Sequence, residues 1–162
     1  MKREFIDDKT AMEQFLREEF WGSLALSVDG QPYVVPLNYA YVDGKILFHC
    51  GLKGRKIDAM RANPRVCFAV GRQEGPPQPH PGGKPCHLDN QSVLCFGRAR
   101  IVEGDDEKKA LLNAFNRAFR PEAPDLKIDS LKGCHCVEIT IEEMTGRREK
   151  GGKPTFWRYA PK

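Results

Sequence analysis

The residues best suited to chemistry lie in one stretch, residues 45–57. A strand-like apolar run ends there at Cys50, a glycine-containing turn follows, and a helical pattern begins that brings three basic side chains, Lys53, Arg55 and Lys56. The first turn of a helix has free backbone N–H groups and the positive end of the helix dipole, and basic side chains add charge-assisted hydrogen bonds. These groups suit a terminal phosphate. The same pattern is typical of a solvated basic turn, so spacing alone leaves both interpretations open.

Cysteine and histidine side chains are a second candidate for chemistry, a metal site. His80, Cys86 and His87 share one loop, and a Cys-His-Cys run occupies residues 134–136. Zinc ligands are commonly spaced C-x-x-C or H-x-x-x-H, and neither group has that spacing. We therefore predict no metal site. Cys134 and Cys136 fall on one face of a strand, where a pair of thiols can respond to oxidants.

Hydrophobic periodicity defines the elements that must hold these residues. Helical and strand-like periods alternate along the chain, and two Asp-Gly turns separate the first strands. The predicted helices cover residues 8–20, 55–61 and 105–119, and the predicted strands cover residues 24–28, 33–42, 45–50, 65–70, 92–102 and 134–142. Residues 71–90, rich in proline, glycine and histidine, form a predicted exposed loop. Six strands joined mostly by turns favour a mainly β fold, a six-stranded antiparallel barrel with peripheral helices.

Composition and charge exclude several classes of protein. The 162 residues suit one domain, and the longest apolar runs are far too short to cross a bilayer. The basic start of the chain is not followed by an apolar segment, so we expect no signal peptide and a cytoplasmic location, where the six cysteines are thiols. Acidic and basic residues are interleaved and the formal net charge is +4, which argues against a nucleic-acid-binding protein. A small anionic ligand suits this charge.

Several short strings occur in a fixed order along the chain. They are G-Q-P-Y-V-V-P-L-N-Y from residue 30, G-K-I-L-F-H-C from residue 44, G-R-K-I from residue 54, N-P-R-V-C-F from residue 63, S-V from residue 92, F-G-R-A from residue 96 and M-T-G-R from residue 144. Each string is loose by itself, whereas the ordered set is specific. Through this set, roughly residues 1–148 resemble the pyridoxamine-phosphate-oxidase-like split-barrel superfamily, and within it the nitroimidazole-resistance (Nim) type of flavin-nucleotide-binding protein.

The resemblance implies a split β-barrel homodimer that binds FMN, with FAD as the alternative flavin, at the subunit interface. It assigns the FMN phosphate to Arg55 and Lys56, with Lys53 as a helper. The other residues that it assigns to the flavin are Val35, Pro36, Leu37, Asn38, His49, Cys50, Gln91, Ser92 and Trp157. The flavin-binding domain would span residues 1–148, and a basic C-terminal tail would follow at residues 149–162.

The resemblance also gives these residues separate roles. Residues 35–38 would run along the isoalloxazine ring and offer backbone groups to its polar edge, and residues 49–50 would end their strand beside the flavin. Residues 91–92 would approach from the other subunit. Trp157 in the tail would close over the flavin.

The activity that the resemblance implies is that of a flavin-dependent oxidoreductase. FMN would take electrons from a reduced nicotinamide and pass them to a small organic acceptor such as a nitroaromatic. His49 is the candidate catalytic residue because an imidazole can donate a proton to a reduced acceptor, although a strand-end histidine bonded to backbone explains it as well. The Arg-rich C-terminal pattern of the oxidase proper is missing, which argues against vitamin B6 synthesis. An FMN carrier or sensor without turnover, or a heme-binding split barrel with His49 as axial ligand, are the alternatives.

Overall fold

The computed structural model describes residues 4–77, 79, 88–127 and 132–161. The helices are α1 (Thr10–Glu18), α2 (Arg55–Ala62) and α3 (Asp105–Phe119). The strands are β1 (Trp21–Val28), β2 (Gln31–Asn38), β3 (Ala40–Val42), β4 (Lys45–Cys50), β5 (Arg65–Gln73), β6 (Asn90–Val102), β7 (His135–Lys150) and β8 (Lys153–Tyr159). The loop predicted at residues 71–90 is shorter in the structure, where it consists of the residues between β5 and β6. Residues 78 and 80–87, which include His80, Cys86 and His87, lie outside the described residues.

All eight strands belong to one curved antiparallel sheet. Its strand order is β2-β1-β5-β6-β7-β4-β3, and β8 pairs with the second half of β7. The hairpins β1–β2 and β3–β4 turn at Asp29-Gly30 and Asp43-Gly44, and all four residues have positive φ angles between 49° and 78°. Such turns match the twist of the flanking strands. The mainly β, barrel-like fold expected of a split barrel is thus confirmed, and the sheet is not closed.

The described residues form two more strands than the six that the sequence predicts. The predicted strand 33–42 divides into β2 and β3 at Tyr39, which is fully buried and whose hydroxyl donates a hydrogen bond to the Leu16 carbonyl oxygen (2.9 Å). The second addition is β8, which lies in the segment predicted as a tail. It pairs with β7 along Met144–Lys150, so this segment is part of the sheet.

Two apolar clusters lie on opposite faces of the sheet. The main core fills the barrel, and α1 and α2 contribute Met12, Phe15, Leu16, Ile57, Ala59 and Met60 to it. A second cluster lies between the sheet and α3. Strand β7 serves both, because Val137 and Ile139 point into the barrel while Cys136 points toward α3. This is the alternation that the sequence predicts for residues 134–142.

The described part of the chain contains no helix that is both long enough and apolar enough to span a membrane.

Candidate functional site

The start of α2 is a basic position without ion-pair partners in the described chain. Lys53, Arg55 and Lys56 lie there, and none of them has a carboxylate within ion-pair distance among the described residues. Most other arginines of the described chain are paired with Asp or Glu. Lys53 and Arg55 are exposed and Lys56 is half-buried, so the three charges are accessible to a ligand.

The backbone at this helix start is also free to bind an anion. Gly54 precedes the helix with φ of 130°, a conformation that favours glycine, and it offers no side-chain cap. The first backbone N–H groups of the helix that form a hydrogen bond are those of Ile57 and Asp58. Both donate to the Gly54 carbonyl oxygen, at 2.9 and 3.3 Å. The N–H groups of Arg55 and Lys56 donate to no described residue. Free N–H groups at the positive end of a helix dipole favour an anion.

Two contacts join this helix start to the strands beside it. The guanidinium of Arg55 lies over the ring of Tyr33 in β2, with its central carbon 4.6 Å from the ring centroid. Burial raises the pKa of the Cys50 thiol at the end of β4, and the positive charge of Lys56 acts in the opposite direction. The start of α2 therefore lies next to both β2 and the end of β4.

Strand β2, which contains residues 35–38, is an edge strand in the described sheet. It pairs only with β1, so backbone groups on its other edge are free to bind a ligand. Leu37 is buried and Val35 is half-buried against the main core, whereas Pro36 and Asn38 are exposed on the other face. The amide of Asn38 donates to the Phe20 carbonyl oxygen at 3.2 Å. An edge strand fits the predicted role of residues 35–38 along a ring with a polar edge.

Gln91 and Trp157 form a separate group, at the end of the barrel covered by α1. They line a cavity of about 270 Å³ together with Arg148 and four residues of α1, Ala11, Gln14, Phe15 and Glu18. Strand β6, which carries Gln91, is separated from β2 by β1 and β5. Three inter-strand steps correspond to about 14 Å along the sheet. One protomer therefore does not bring Gln91 next to residues 35–38.

Ser92 points away from Gln91, onto the outer face of the sheet. On this face Val34, Ala25, Cys67 and Phe96 form a row across four paired strands. The next row consists of Pro36, Ser23, Ala69 and Leu94. Val34, Leu94 and Phe96 are exposed, as is Trp21 at the start of β1. We call this surface the outer apolar face.

His49 and Cys50 lie on opposite faces of β4. Cys50 is buried in the main core, whereas His49 is exposed on the side of α3, with its ring at 5.2 Å and 80° from that of Phe115. The two residues therefore do not face the same surface of one ligand. The described residues contain no group of three or more His, Cys, Asp or Glu side chains arranged to hold a metal ion.

Two residues of this region were missing from the sequence-derived site. Tyr33 contacts Arg55 although the two residues are 22 positions apart in the chain. The one sequence signal for Tyr33 was its place on the same face of β2 as Val35 and Leu37. Arg148 lines the cavity with Gln91 and Trp157. It lies in a run of mostly basic residues, 147–150, but nothing in the sequence distinguished it from its neighbours.

Comparison with known proteins assigns the chain to a family. The model of the family described as pyridoxamine 5'-phosphate oxidase matches residues 8–148. The chain belongs to the pyridoxamine 5'-phosphate oxidase family. An uncharacterised protein of Rhizobium meliloti (strain 1021) is 40% identical to this chain in sequence. The match covers 80% of this chain and 85% of that protein.

Solved structures show the same fold as this family member. One is a candidate 5-nitroimidazole antibiotic resistance protein of Bacteroides thetaiotaomicron, with a TM-score of 0.75 at 23% identity over 90% of this chain and 86% of that one. Another is an FAD- and heme-binding protein of Mycobacterium smegmatis, with a TM-score of 0.78 at 16% identity over 94% of this chain and 82% of that one. At these identities the likeness shows the fold alone.

Proposed function

We propose that this family member is an FMN-dependent oxidoreductase that passes electrons from a reduced nicotinamide to a small organic acceptor such as a nitroaromatic. The observation that supports it most directly is the start of α2. Lys53, Arg55 and Lys56 lie at a helix start with free N–H groups, and no described carboxylate, including that of Asp58 in the first turn, lies within ion-pair distance of them. A dianionic phosphate needs this combination of charge and directed donors.

The residues near the helix start fit a flavin mononucleotide. The phosphate would lie against Arg55 and Lys56, and the ring would lie along the free edge of β2. There, unpaired backbone groups offer donors and acceptors to the polar side of an isoalloxazine. The half-buried Val35 and the buried Leu37 and Cys50 provide an apolar floor from the main core. Bound FMN would supply the redox chemistry, and the protein would bind and orient it.

A second copy of the chain would complete the site. In one protomer Gln91, Ser92 and Trp157 lie apart from β2, so we expect a partner to bring this region to the flavin. The outer apolar face gives a surface for that partner, because contiguous exposed apolar side chains on a sheet mark an association site. We therefore propose a homodimer with the flavin at the subunit interface.

His49 is the candidate proton donor to the reduced acceptor. Its exposed imidazole packs edge-on against Phe115, which fixes the ring on the α3 side of β4. An acceptor that reaches the flavin from this side would meet His49, whereas Cys50 faces the main core. An imidazole side chain is a common proton donor in general acid catalysis.

The first experiment is an absorbance spectrum of the purified protein, with the ligand released by heat and identified by mass. We expect flavin bands at about 375 and 450 nm and FMN in the supernatant. Anaerobic addition of NADH or NADPH should then bleach the band at about 450 nm, and a nitroaromatic should restore it.

Each other outcome selects a different function. FMN that neither nicotinamide reduces would favour a carrier or sensor, and FAD in the supernatant would change the cofactor. A Soret band without flavin bands would favour heme, with His49 as the candidate ligand; the M. smegmatis protein is named as binding FAD and heme. A colourless protein that ignores added FMN contradicts the proposal.

A further inference from the structure

Two thiols meet at the start of β7, on the sheet face that is turned away from the barrel. Cys134 immediately precedes the strand, and Cys136 is its second residue. Both belong to the second apolar cluster, where Cys136 is fully buried and Cys134 is half-buried at the margin. Neither thiol forms a disulfide, and neither has a role in the function proposed above.

The two side chains differ in accessibility and interact with each other. The pKa of Cys136 is raised to about 12, first by burial and then by the neighbouring Cys134 thiol. Cys136 therefore stays protonated and shielded at neutral pH. Cys134 is the thiol that a dissolved reagent meets first, because only its side chain is accessible.

We propose that Cys134 and Cys136 form a peroxide-responsive pair, in which hydrogen peroxide oxidises Cys134 and Cys136 then closes an intramolecular disulfide. The Cys134 thiolate attacks one peroxide oxygen, the O–O bond breaks, and the leaving oxygen takes a proton to become water. The Cys136 sulfur next attacks the sulfenic sulfur of Cys134, the S–O bond breaks, and the departing hydroxide takes the Cys136 proton. Two thiols are oxidised, and one hydrogen peroxide is reduced to two water molecules.

The backbone allows this closure with a small movement. Residues two apart on an extended strand have Cα atoms about 6.7 Å apart, at the upper limit of the range that a disulfide spans. Cys134 lies outside the ladder of β7 and follows the exposed Gly133, around whose Cβ position there is open space within 4 Å. Cys134 can therefore bend toward Cys136. The resulting bond is strained, which makes it readily reducible and the modification reversible.

Peptide mapping of the full-length protein tests the proposal directly. Trypsin releases residues 133–147 as one peptide that contains Cys134 and Cys136 and no other cysteine. After treatment with hydrogen peroxide and alkylation, we expect this peptide to be two hydrogen atoms lighter and unalkylated, and dithiothreitol should restore two alkylatable thiols. A peptide that keeps both thiols, or that is linked to another cysteine, overturns the proposal.

Single substitutions test the order of the two steps. In Cys136→Ser a sulfenic acid should accumulate at Cys134 and be trapped by dimedone, whereas in Cys134→Ser dimedone should label Cys136 at least about tenfold more slowly. Cys136→Ala replaces Cys136→Ser if the hydroxyl destabilises the cluster. Cys67→Ser, which alters a half-buried cysteine on the outer apolar face, is the control and should leave the disulfide unchanged. Equal labelling of Cys134 and Cys136 in the two variants contradicts the assigned order.

Discussion

The guanidinium of Arg55 lies over the aromatic ring of Tyr33, 4.6 Å from its centroid. This contact links the basic start of α2 to β2, the edge strand that we assign to the flavin ring. A cation over an aromatic face is held by about 0.5–1 kcal/mol where the pair is exposed, so the ring restricts the guanidinium without neutralising its charge. Arg55 is thereby oriented while it remains available to an anion.

The Tyr33 ring should contribute to FMN affinity through Arg55. We expect Tyr33→Leu to weaken FMN binding by about two- to fivefold, which is the loss of one exposed cation–π contact. Tyr33→Phe keeps the ring and is the matched control, with affinity close to that of the wild type. Fluorescence titration of FMN measures both variants. Equal losses in the two variants would mean that the hydroxyl, not the ring, is what FMN binding requires.

Loss of the basic pair should release the phosphate. Arg55→Ala combined with Lys56→Ala should weaken FMN binding by more than about tenfold while the circular dichroism spectrum stays unchanged, because charge-assisted hydrogen bonds are lost and no core side chain is altered. Arg61→Ala combined with Lys109→Ala removes the same charge elsewhere and should have little effect. An unchanged dissociation constant in the first double variant would disprove the phosphate assignment.

The outer apolar face should hold two subunits together. Phe96 is 39% exposed at the β6 end of this face, and Phe96→Glu introduces a charge that a buried interface cannot accommodate. We expect the variant to sediment as a monomer and to lose FMN affinity by at least about tenfold. Phe119→Glu, at a residue 50% exposed on α3, is the control and should remain a dimer. A monomeric wild type with full FMN affinity would contradict the shared site.

Glu138 should make the stability of the fold sensitive to acid. Burial acts to raise its pKa, but hydrogen bonds and charge from Lys45 and Arg100 outweigh burial and hold the pKa below the ordinary value of 4.5. Because the folded pKa is lower than the unfolded one, the ionised carboxylate stabilises the fold above about pH 4.5, and this contribution is lost as the pH falls through the folded pKa.

Substitution of Glu138 checks that sign. Glu138→Gln should lower the free energy of unfolding at pH 7 by about 1 kcal/mol or less, and the melting temperature should fall accordingly. The difference in melting temperature from the wild type should shrink as the pH falls below about 4.5. Differential scanning fluorimetry between pH 7 and pH 3 measures it. Glu103→Gln, at an exposed residue without an ion pair in the described chain, is the control. A difference in melting temperature that grows as the pH falls would contradict a lowered pKa of Glu138 in the folded protein.

Gly97 is a position where the backbone of the neighbouring strand leaves no room for a side chain. A Cβ there would lie 2.0 Å from the Thr140 carbonyl oxygen, at the point where the β6–β7 register shifts. We expect Gly97→Ala to destabilise the protein by at least about 1–3 kcal/mol in urea denaturation, because a ladder of two central strands must move. Gly71→Ala, whose Cβ would come no nearer than 3.9 Å to any atom, should change stability by less. Similar losses in both variants would contradict this steric cause.

Local signals in the sequence were sufficient for the segment that carries the proposed phosphate site. The strand predicted at 45–50 is β4, and the helix predicted at 55–61 is α2 with one residue added. Both depend on short-range features, an apolar run that ends at a glycine turn and an Asn-Pro pair that ends the helix. Their boundaries were therefore predictable without knowledge of the tertiary structure.

Features that depend on distant residues were not predictable in this way. The break at Tyr39 follows from a hydrogen bond to α1, and β8 exists because the Gly151-Gly152 turn returns the chain along β7. The contact between Tyr33 and Arg55, and the separation of Gln91 from β2, arise from the order of strands in the sheet. Periodicity indicates which face of a strand is buried but not which strand lies beside it.

Two edges of the sheet, those of β2 and β8, are protected against uncontrolled strand addition. An unpaired edge is a template for aggregation, because another chain can continue its hydrogen-bond ladder. The exposed edge strand β2 carries Pro32 and Pro36, which lack the N–H groups that such a ladder needs. The free side of β8 is capped by Ile6, which exchanges backbone hydrogen bonds with Phe156 and Arg158 at 3.0 and 3.2 Å. The fold can thus keep the free edge of β2, which we propose for the flavin, open to a small molecule while it disfavours growth of fibrils from that edge.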